Sequence, residues 1–365
     1  MTNQNAALQY QDMLKAIAPL SEETLKAARQ HMDSLIKPLG SLGKLEEISI
    51  RIAGITGRVH NVPARRCMII MAADNGICEE GVSSSPTEIT LIQAINMTRG
   101  ICGIGVLAKW AGADLRVVDI GIDGDYDNDQ IIQAKIRRGT ANFAKGPAMT
   151  REEAEKAIQI GIGIVRDLAA AGYQLLGTGE MGIGNTSSSS AVIMALTGTS
   201  AADAVGKGGG LTDAAHEKKK EILTRALDLN KPDPRDPVDV LSKVGGLDIA
   251  GLVGCFIGAA YYRIPIVVDG VISIAAALIA ARLNARIREF MIPSHISREP
   301  AFIAAEQELQ LNPMLALDMR LGEGTGCPLA FQIIDAACSV MNNMATFESV
   351  QIDETYRIDN RKERI

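Results

Sequence analysis

The feature that most constrains the fold is an alternation of short apolar runs with amphipathic segments, which begins at Cys67 and continues to Ile292. This alternation is typical of a parallel sheet whose strands are connected by helices. It therefore predicts an α/β fold. The predicted strands are Cys67–Met71, Leu115–Ile120, Tyr173–Leu176, Ile264–Val268 and Phe290–Ile292.

Both ends of the chain have helical patterns instead. Ser21–Thr24 is a capping pattern, and the turn over Lys37–Gly43 separates that helix from a second helix beginning near Lys44. Helical periodicity returns in the last third of the chain. We expect a large α/β domain over residues 60–300, a small helical domain from residues 1–59 and 301–350, and a C-terminal tail over residues 351–365.

Polar and glycine residues gather where the predicted strands end. Each such loop taken alone is explained by the need for turn residues. In an open α/β sheet, however, ligands bind beyond the carboxyl ends of the strands, so five such loops predict one common site. The loops are Ala73–Gly76, Gly121–Asp123, Gly177–Glu180, Asp269–Gly270 and Pro293–His295.

The run Gly177–Gly182 satisfies the dinucleotide fingerprint G-x-G-x-x-G, but no second strand with an acidic residue follows at the required distance. Gly177–Ser190 fits a more general phosphate loop, in which glycines admit an anion and Asn185, Thr186 and Ser187 cap the next helix. The run Lys218–Lys220 is expected to be a solvated helix face, from which one lysine could turn inward towards the phosphate.

Glu323 lies among three glycines in a loop between two helical stretches, with Pro328 placed for the first turn of the second helix. A glycine loop gives close access to a ligand, so Glu323 is a candidate general base and is expected to be exposed. A surface loop with an incidental acid explains the spacing equally well. His295 could contact the ligand or serve the structure. No Ser/His/Asp arrangement or G-x-S-x-G motif supports a hydrolase.

Charge and composition narrow the class of partner. The chain has 37 Lys and Arg against 43 Asp and Glu, a net charge of −6, and so lacks a basic surplus for nucleic acid or an anionic membrane. The longest uncharged apolar stretch, Ile249–Tyr262, is too short to span a bilayer, and the N-terminus has no export signal. Six scattered cysteines indicate reduced, mostly buried thiols. We expect a cytoplasmic protein with small-molecule partners.

Four longer motifs together resemble one enzyme family, the nicotinate-nucleotide:dimethylbenzimidazole phosphoribosyltransferases. They are Lys37–Glu46, Asn96–Gly100, Asp236–Gly246 and Arg320–Gly324, and the resemblance runs from about residue 20 to about residue 345. It implies an α/β fold with a Rossmann-like, mostly parallel sheet, helices on both faces and a small helical domain from both termini. It also implies a homodimer that needs neither a cofactor nor a metal.

The resemblance implies a transfer of phosphoribose from nicotinate mononucleotide to 5,6-dimethylbenzimidazole or a related base. It makes Glu323 the catalytic base. Asn75 stands where many relatives have histidine, so the preferred base stays open. Around the nucleotide the resemblance places Glu180, Gly182, Gly184, Asn185, Lys219 and Ser294, and in the pocket for the aromatic base it places Ser85 and Gln93.

Two other classes of protein are alternatives to this family. A non-catalytic module that binds a mononucleotide would use the same glycine loops without turnover. A dinucleotide oxidoreductase requires the second strand and acid that the sequence lacks.

Overall fold

A six-stranded parallel sheet forms the centre of the molecule. The computed structural model describes residues 9–355 and 357–362. The strands lie in the order β3-β2-β1-β4-β5-β6, which is the order of doubly wound dinucleotide-binding folds. The predicted α/β class and parallel sheet are confirmed. The strands are β1 Arg66–Ala73, β2 Asp114–Gly121, β3 Ile131–Gln133, β4 Leu175–Met181, β5 Ile266–Val268 and β6 Met291–Pro293.

Helices cover both faces of the sheet and connect successive strands except β2 and β3, which are joined by a loop. They are α1 Tyr10–Ala16, α2 Glu22–Ser34, α3 Lys44–Thr56, α4 Ile89–Thr98, α5 Gly103–Trp110, α6 Arg151–Ala170, α7 Asn185–Thr197, α8 Ala201–Ala204, α9 Asp213–Asn230, α10 Pro237–Val244, α11 Leu247–Tyr261, α12 Val271–Leu283, α13 Ala301–Leu309 and α14 Gly326–Asn343.

Strand β1 shows why both faces are covered. Successive side chains of a strand point to opposite faces, and β1 is apolar at almost every position. Ile69 and Met71 pack into a core shared with α6, α11 and α12. Met68 and Ile70 pack into a second core with α4, α5 and α14. Because both faces of β1 are buried, its sequence does not alternate between apolar and polar residues.

The sheet differs from the prediction at two strands. Strand β4 continues to Met181, so Gly177–Glu180 belongs to a strand and not to a loop. Strand β3, Ile131–Gln133, pairs at the sheet edge with β2. It has only two consecutive apolar residues between polar ones, which is too little for a recognisable strand signal in the sequence. The other predicted strands agree with β1, β2, β5 and β6 to within a few residues.

The helices at the two ends of the chain pack in two groups. Ser21 caps α2, its Oγ accepting the N–H of Thr24 at 3.2 Å as predicted, and α3 begins at Lys44. Helices α2 and α14 both pack against α3, whereas α13 packs against α7 and α12 of the α/β part. The expected domain boundaries stay a prediction. Residues 1–8 of the expected helical domain, and residues 356 and 363–365 of the expected tail, lie outside the described residues.

Among the described residues, one stretch, Ile89–Trp110, is long and apolar enough to cross a membrane by length and composition. It contains Arg99 and Lys109, so it is not one of the uncharged apolar stretches of the sequence. In the structure this stretch forms two helices, α4 and α5, with Gly100 in the left-handed region between them at φ +70°. It therefore does not form one continuous helix.

Candidate active site

A cavity of about 270 Å³ opens beyond the carboxyl ends of the strands, next to the β1–β4 switch point of the strand order. Its walls come mainly from the segments that follow β4, β5 and β6. The loop that carries Glu323 closes one side, and residues after β1 close another. The lining includes Ser83, Ser85, Ile89, Gln93, Glu180–Thr186, Gly208, Gly209, Asp269–Ser273, His295, Ser297, Glu299 and Arg320–Glu323.

Glu323 lies in the wall of this cavity. Its Oε2 accepts the main-chain N–H of Ile104 at 2.9 Å, and its Oε1 accepts the side-chain amide of Gln93 at 3.3 Å. The expectation of an exposed acid is wrong, because the residue is only 6% exposed. Its φ of +60° is a conformation that costs a non-glycine residue about 1–2 kcal/mol. Strain of this kind concentrates at functional sites.

The glycines of β4 make room for the Glu323 loop. A Cβ on Gly179 would lie 2.5 Å from the carbonyl oxygen of Glu323 and 2.4 Å from Cδ1 of Ile70. Because the loop rests directly on the strand, a side chain cannot fit between them. Gly179 of the apparent fingerprint thus serves the packing of the loop on the strand.

Glu180, at the end of β4, lies close to a second buried carboxylate. The side-chain amide nitrogen of Asn185 donates to Glu180 and also, at 2.9 Å, to Oδ2 of Asp248. Burial, together with the negative charge of Asp248, raises the pKa of Glu180 to about 8. Burial raises the pKa of Asp248 to about 6. The two carboxyl groups therefore retain a proton to higher pH than isolated carboxyl groups would.

The capping prediction for the loop after β4 is wrong. Helix α7 begins at Asn185, and its N-cap is Gly184 at φ +91°, with no side-chain cap. The side-chain amide of Asn185 donates instead to the two carboxylates. Hydrogen bonds to a carboxylate are stronger than those that the amide oxygen would form with the N–H groups at the helix end. The first turn of α7 is left without a side-chain cap, and its positive end favours an anion.

One lysine of the Lys218–Lys220 run does turn inward. Lys219 is 1% exposed, and its Nζ donates to Oγ1 of Thr186 at 3.0 Å in the first turn of α7. Burial lowers the pKa of Lys219 to about 8, against a partial compensation by the nearby carboxylate of Glu299. Lys219, Thr186 and the Gly208–Gly209 loop lie together at one corner of the cavity wall.

Asp269 fixes the other end of the Glu323 loop. Its Oδ1 accepts the main-chain N–H of Gly326 at 2.7 Å and lies 3.8 Å from Nδ1 of His295. Burial raises the pKa of the Asp269 carboxyl. His295 lines the cavity, but Ser294 is fully buried behind it, with its Oγ donating to the carbonyl of Val268 at 2.8 Å.

Most of the residues selected from the sequence come together in one place. Those that line the cavity are Ser85, Gln93, Glu180, Gly182, Gly184, Asn185 and Glu323. Lys219 reaches this wall through Thr186, whereas Ser294 lies behind the wall. Asn75 is buried beside it, with its Oδ1 accepting the hydroxyl of Ser188 at 2.9 Å, and is not part of the lining.

Sequence reasoning missed the functional potential of Asp248 and Glu299, whereas Asp269 lies in one of the five loops expected to form a common site. Asp248 lies at the start of an apolar helix, where acidic residues are ordinary, so the sequence offers no distinguishing signal. The sequence did indicate a possible functional role for Asp269, since this residue directly follows a predicted strand.

Among the described residues that line the cavity there is no Phe, Tyr or Trp. The apolar part comes from Ile89, Met181, Ile183, Val271, Ile272 and Leu321. Within residues 9–355 and 357–362, no group of three or more His, Cys, Asp or Glu side chains is arranged to hold a metal ion. The arrangement offers an aliphatic slot, several carboxyl groups and a buried lysine beside the wall.

Comparisons with known proteins agree with this geometry. The sequence profile of a family described as phosphoribosyltransferase matches residues 17–352. The nicotinate-nucleotide–dimethylbenzimidazole phosphoribosyltransferase of Clostridium perfringens is 50% identical over 352 residues, covering 96% of this chain and 98% of the relative. The enzyme of that name from Acetivibrio thermocellus is 52% identical over 341 residues, covering 93% of this chain and 97% of the relative.

The fold comparison gives the same result. The crystal structure of nicotinate-nucleotide–dimethylbenzimidazole phosphoribosyltransferase from Thermus thermophilus superposes with a TM-score of 0.86 at 37% identity. The superposition covers 92% of this chain and 99% of that one.

Proposed function

The chain belongs to the nicotinate-nucleotide–dimethylbenzimidazole phosphoribosyltransferase family, and on that premise we propose that it transfers phosphoribose from nicotinate mononucleotide to 5,6-dimethylbenzimidazole or a related base. The products are nicotinate and α-ribazole 5′-phosphate. The α-ribazole 5′-phosphate then enters assembly of the nucleotide loop of cobalamin. The observation that carries the proposal is the Glu323 carboxylate in the cavity wall, held by Ile104 and Gln93.

The chemistry requires one proton acceptor. One nitrogen of the benzimidazole attacks the anomeric carbon, and the bond from that carbon to the pyridinium nitrogen of nicotinate breaks. The bonding electron pair returns to the pyridine ring, so nicotinate leaves without a proton. The attacking base becomes cationic, and Glu323 removes the proton from its other nitrogen, as a general base within hydrogen-bond reach can do.

The geometry of attack explains the configuration of the product. Attack on the face opposite the leaving base converts a β-linked nucleotide into an α-linked one. We propose that Ser85 and Gln93 line the pocket for the incoming base, because both lie in the wall and Gln93 also contacts Glu323. Positioning both bases about one ribose supplies much of the rate enhancement.

We propose that the phosphate binds at the corner formed by Lys219, Thr186 and the uncapped start of α7. A buried lysine with a hydroxyl partner, beside a positive helix end, is suited to a dianion. Glu180, Gly182, Gly184 and Asn185 would then surround the ribose and nucleotide. Ser294 would act only from behind the wall, by holding His295, since its Oγ lies 2.9 Å from Nδ1 of that residue.

The test is a product assay. Purified protein is incubated with nicotinate mononucleotide and dimethylbenzimidazole, and then with a panel of related bases, and the mixture is separated by chromatography. We expect equal amounts of nicotinate and an α-ribotide. Tight binding of the mononucleotide with no product from any base would favour a non-catalytic binding module, which the family membership does not support.

We also propose that the enzyme is a cytoplasmic homodimer. All six cysteines are unpaired, as is usual in a reducing compartment. Helices α4 and α5 and the turn between them expose four large apolar side chains, and a concentration of this kind suits an interface between protein chains. They are Ile92, Ile101, Val106 and Trp110, the last 61% exposed.

A further inference from the structure

Asp248 is a fully buried carboxylate next to the cavity but not in its lining. It is the second residue of α11 and is 0% exposed. Its Oδ1 accepts the main-chain N–H of Ile249 at 2.9 Å, and its Oδ2 accepts the side-chain amide of Asn185 at 2.9 Å. Its only hydrogen bond to a residue of the cavity wall among those found in the described chain therefore goes to Asn185.

Both hydrogens on the side-chain amide nitrogen of Asn185 form hydrogen bonds. Nδ2 carries two hydrogens, and it donates to Asp248 and to Oε2 of Glu180. If the amide rotated by half a turn, its carbonyl oxygen would face two carboxyl groups. Asp248 therefore fixes the orientation of Asn185, which leaves only the carbonyl oxygen for a ligand in the cavity.

The chain of contacts continues to the general base. Oε1 of Glu180 accepts the main-chain N–H of Glu323 at 3.2 Å. Three hydrogen bonds thus connect Asp248, through Asn185 and Glu180, to the backbone of the catalytic loop. They join helix α11, helix α7 and strand β4, which are rigid elements, to a loop that contains successive residues with positive φ.

The arrangement of Asp248, Asn185 and Glu180 lowers the stability of the fold. Two carboxyl groups that share one amide lose solvation and repel each other when both are ionised. A small hydroxyl side chain would serve the first turn of α11 without that penalty. The simplest structural explanation of Asp248, support for the start of α11, therefore does not account for its contact with Asn185.

We propose that Asp248 is a positioning residue for phosphoribosyl transfer, which acts through Asn185 to hold Glu180 and the Glu323 loop in their reactive arrangement. The proposal rests on the transferase function proposed above. It differs from a structural role in one measurable way: the effect of changing Asp248 must depend on the presence of the Asn185 amide.

A double-mutant cycle measures this dependence. The variants are Asp248→Ser, Asn185→Ala and the double variant, assayed for kcat and for KM of dimethylbenzimidazole. Serine is compatible with a first helical turn but is too short to reach Asn185. Because small misplacements near reacting groups cost up to about 100-fold, we expect Asp248→Ser to lower kcat about 10–100-fold with KM little changed. In the Asn185→Ala background it should cause no further loss.

Asp248→Asn gives an independent measurement and covers the case in which the serine variant does not fold. Its side-chain oxygen can still accept from Asn185, but a neutral acceptor forms a weaker bond than a carboxylate. We expect a loss in kcat of about 3–10-fold, again absent when Asn185 is alanine. A kcat equal to wild type, or the same fold-loss in both backgrounds, would overturn the proposal.

Two controls separate the possible failures. Asp119→Asn changes another fully buried carboxylate, which accepts the N–H of Ile122 at 2.8 Å after β2, and should leave kcat unchanged. Wild-type protein in the same assay tests the function itself. No product from wild type refutes the transferase, whereas an active wild type with additive losses refutes only the role of Asp248.

Discussion

The main-chain N–H of Glu323 donates a hydrogen bond of 3.2 Å to Oε1 of Glu180, which lies on strand β4. The central sheet thereby holds the backbone of the proposed general base through the side chain of Glu180. The carboxylate of Glu323 is held separately, by Ile104 and Gln93 on the far side of the loop. The base therefore depends on contacts from several distant segments.

Replacing Glu323, the proposed general base, should remove turnover while preserving binding. Glu323→Gln keeps the shape of the side chain but cannot accept the proton, so we expect kcat to fall about 10²–10⁴-fold. Nicotinate release measured by chromatography gives kcat, and calorimetry gives the affinity for nicotinate mononucleotide. The matched control is Glu289→Gln, because Glu289 also accepts a backbone N–H, that of Leu20, but just before β6. Wild-type turnover in Glu323→Gln would reject the assignment.

Gly179 should be intolerant of a methyl group. The Cβ of Gly179→Ala would lie 2.5 Å from the carbonyl oxygen of Glu323, so the loop must move, and we expect at least a tenfold loss of kcat. Gly163→Ala is the control, since nothing lies within 4 Å of a Cβ at that position of α6. A helical glycine replaced by alanine should gain up to about 1 kcal/mol of stability at full activity. Equal activities for the two variants would contradict the packing argument.

The enzyme's kcat/KM for nicotinate mononucleotide should decrease above about pH 8. Burial lowers the pKa of Lys219 to about 8, so its ammonium group is charged below that pH and neutral above it. We expect kcat/KM for nicotinate mononucleotide to fall as pH rises through this value, since kcat/KM reports ionisations of the free enzyme.

Glu180 complicates this pH profile, because its pKa is raised to about the same value. Lys219→Arg separates the two groups, since a guanidinium stays charged throughout the range. The alkaline fall should shrink or disappear in this variant. An unchanged fall would assign the ionisation to Glu180 and argue against Lys219 as the phosphate partner.

The apolar surface of α4 and α5 should control assembly. Val106 is 55% exposed on α5, and Val106→Glu would place a charge in the proposed interface. We expect the variant to sediment as a monomer while the wild type sediments as a dimer. The control is Val62→Glu, an exposed valine outside these helices. A wild-type monomer at all concentrations would reject the homodimer.

Local patterns in the sequence predicted the elements that local interactions determine. The cap at Ser21, the start of α3 at Lys44 and the strands β1 and β2 agree with the structure. The Gly177–Gly182 run misled, because glycines that suit a phosphate loop also suit a strand that must admit a neighbouring loop. Only the contact between Gly179 and Glu323 distinguishes the two roles.

The sequence alone determined the α/β class and the family, and it led to the proposal of Glu323 as general base, because periodicity and contiguous motifs are encoded by neighbours along the chain. The tertiary structure decided that Glu323 is buried, that Asn185 joins two carboxyl groups and that Asp248 stands behind them. Ile104 and Glu323 are 219 positions apart, and Asn185 and Asp248 are 63 apart. Burial, pKa and hydrogen bonding depend on distance in space, which no local pattern of residues records.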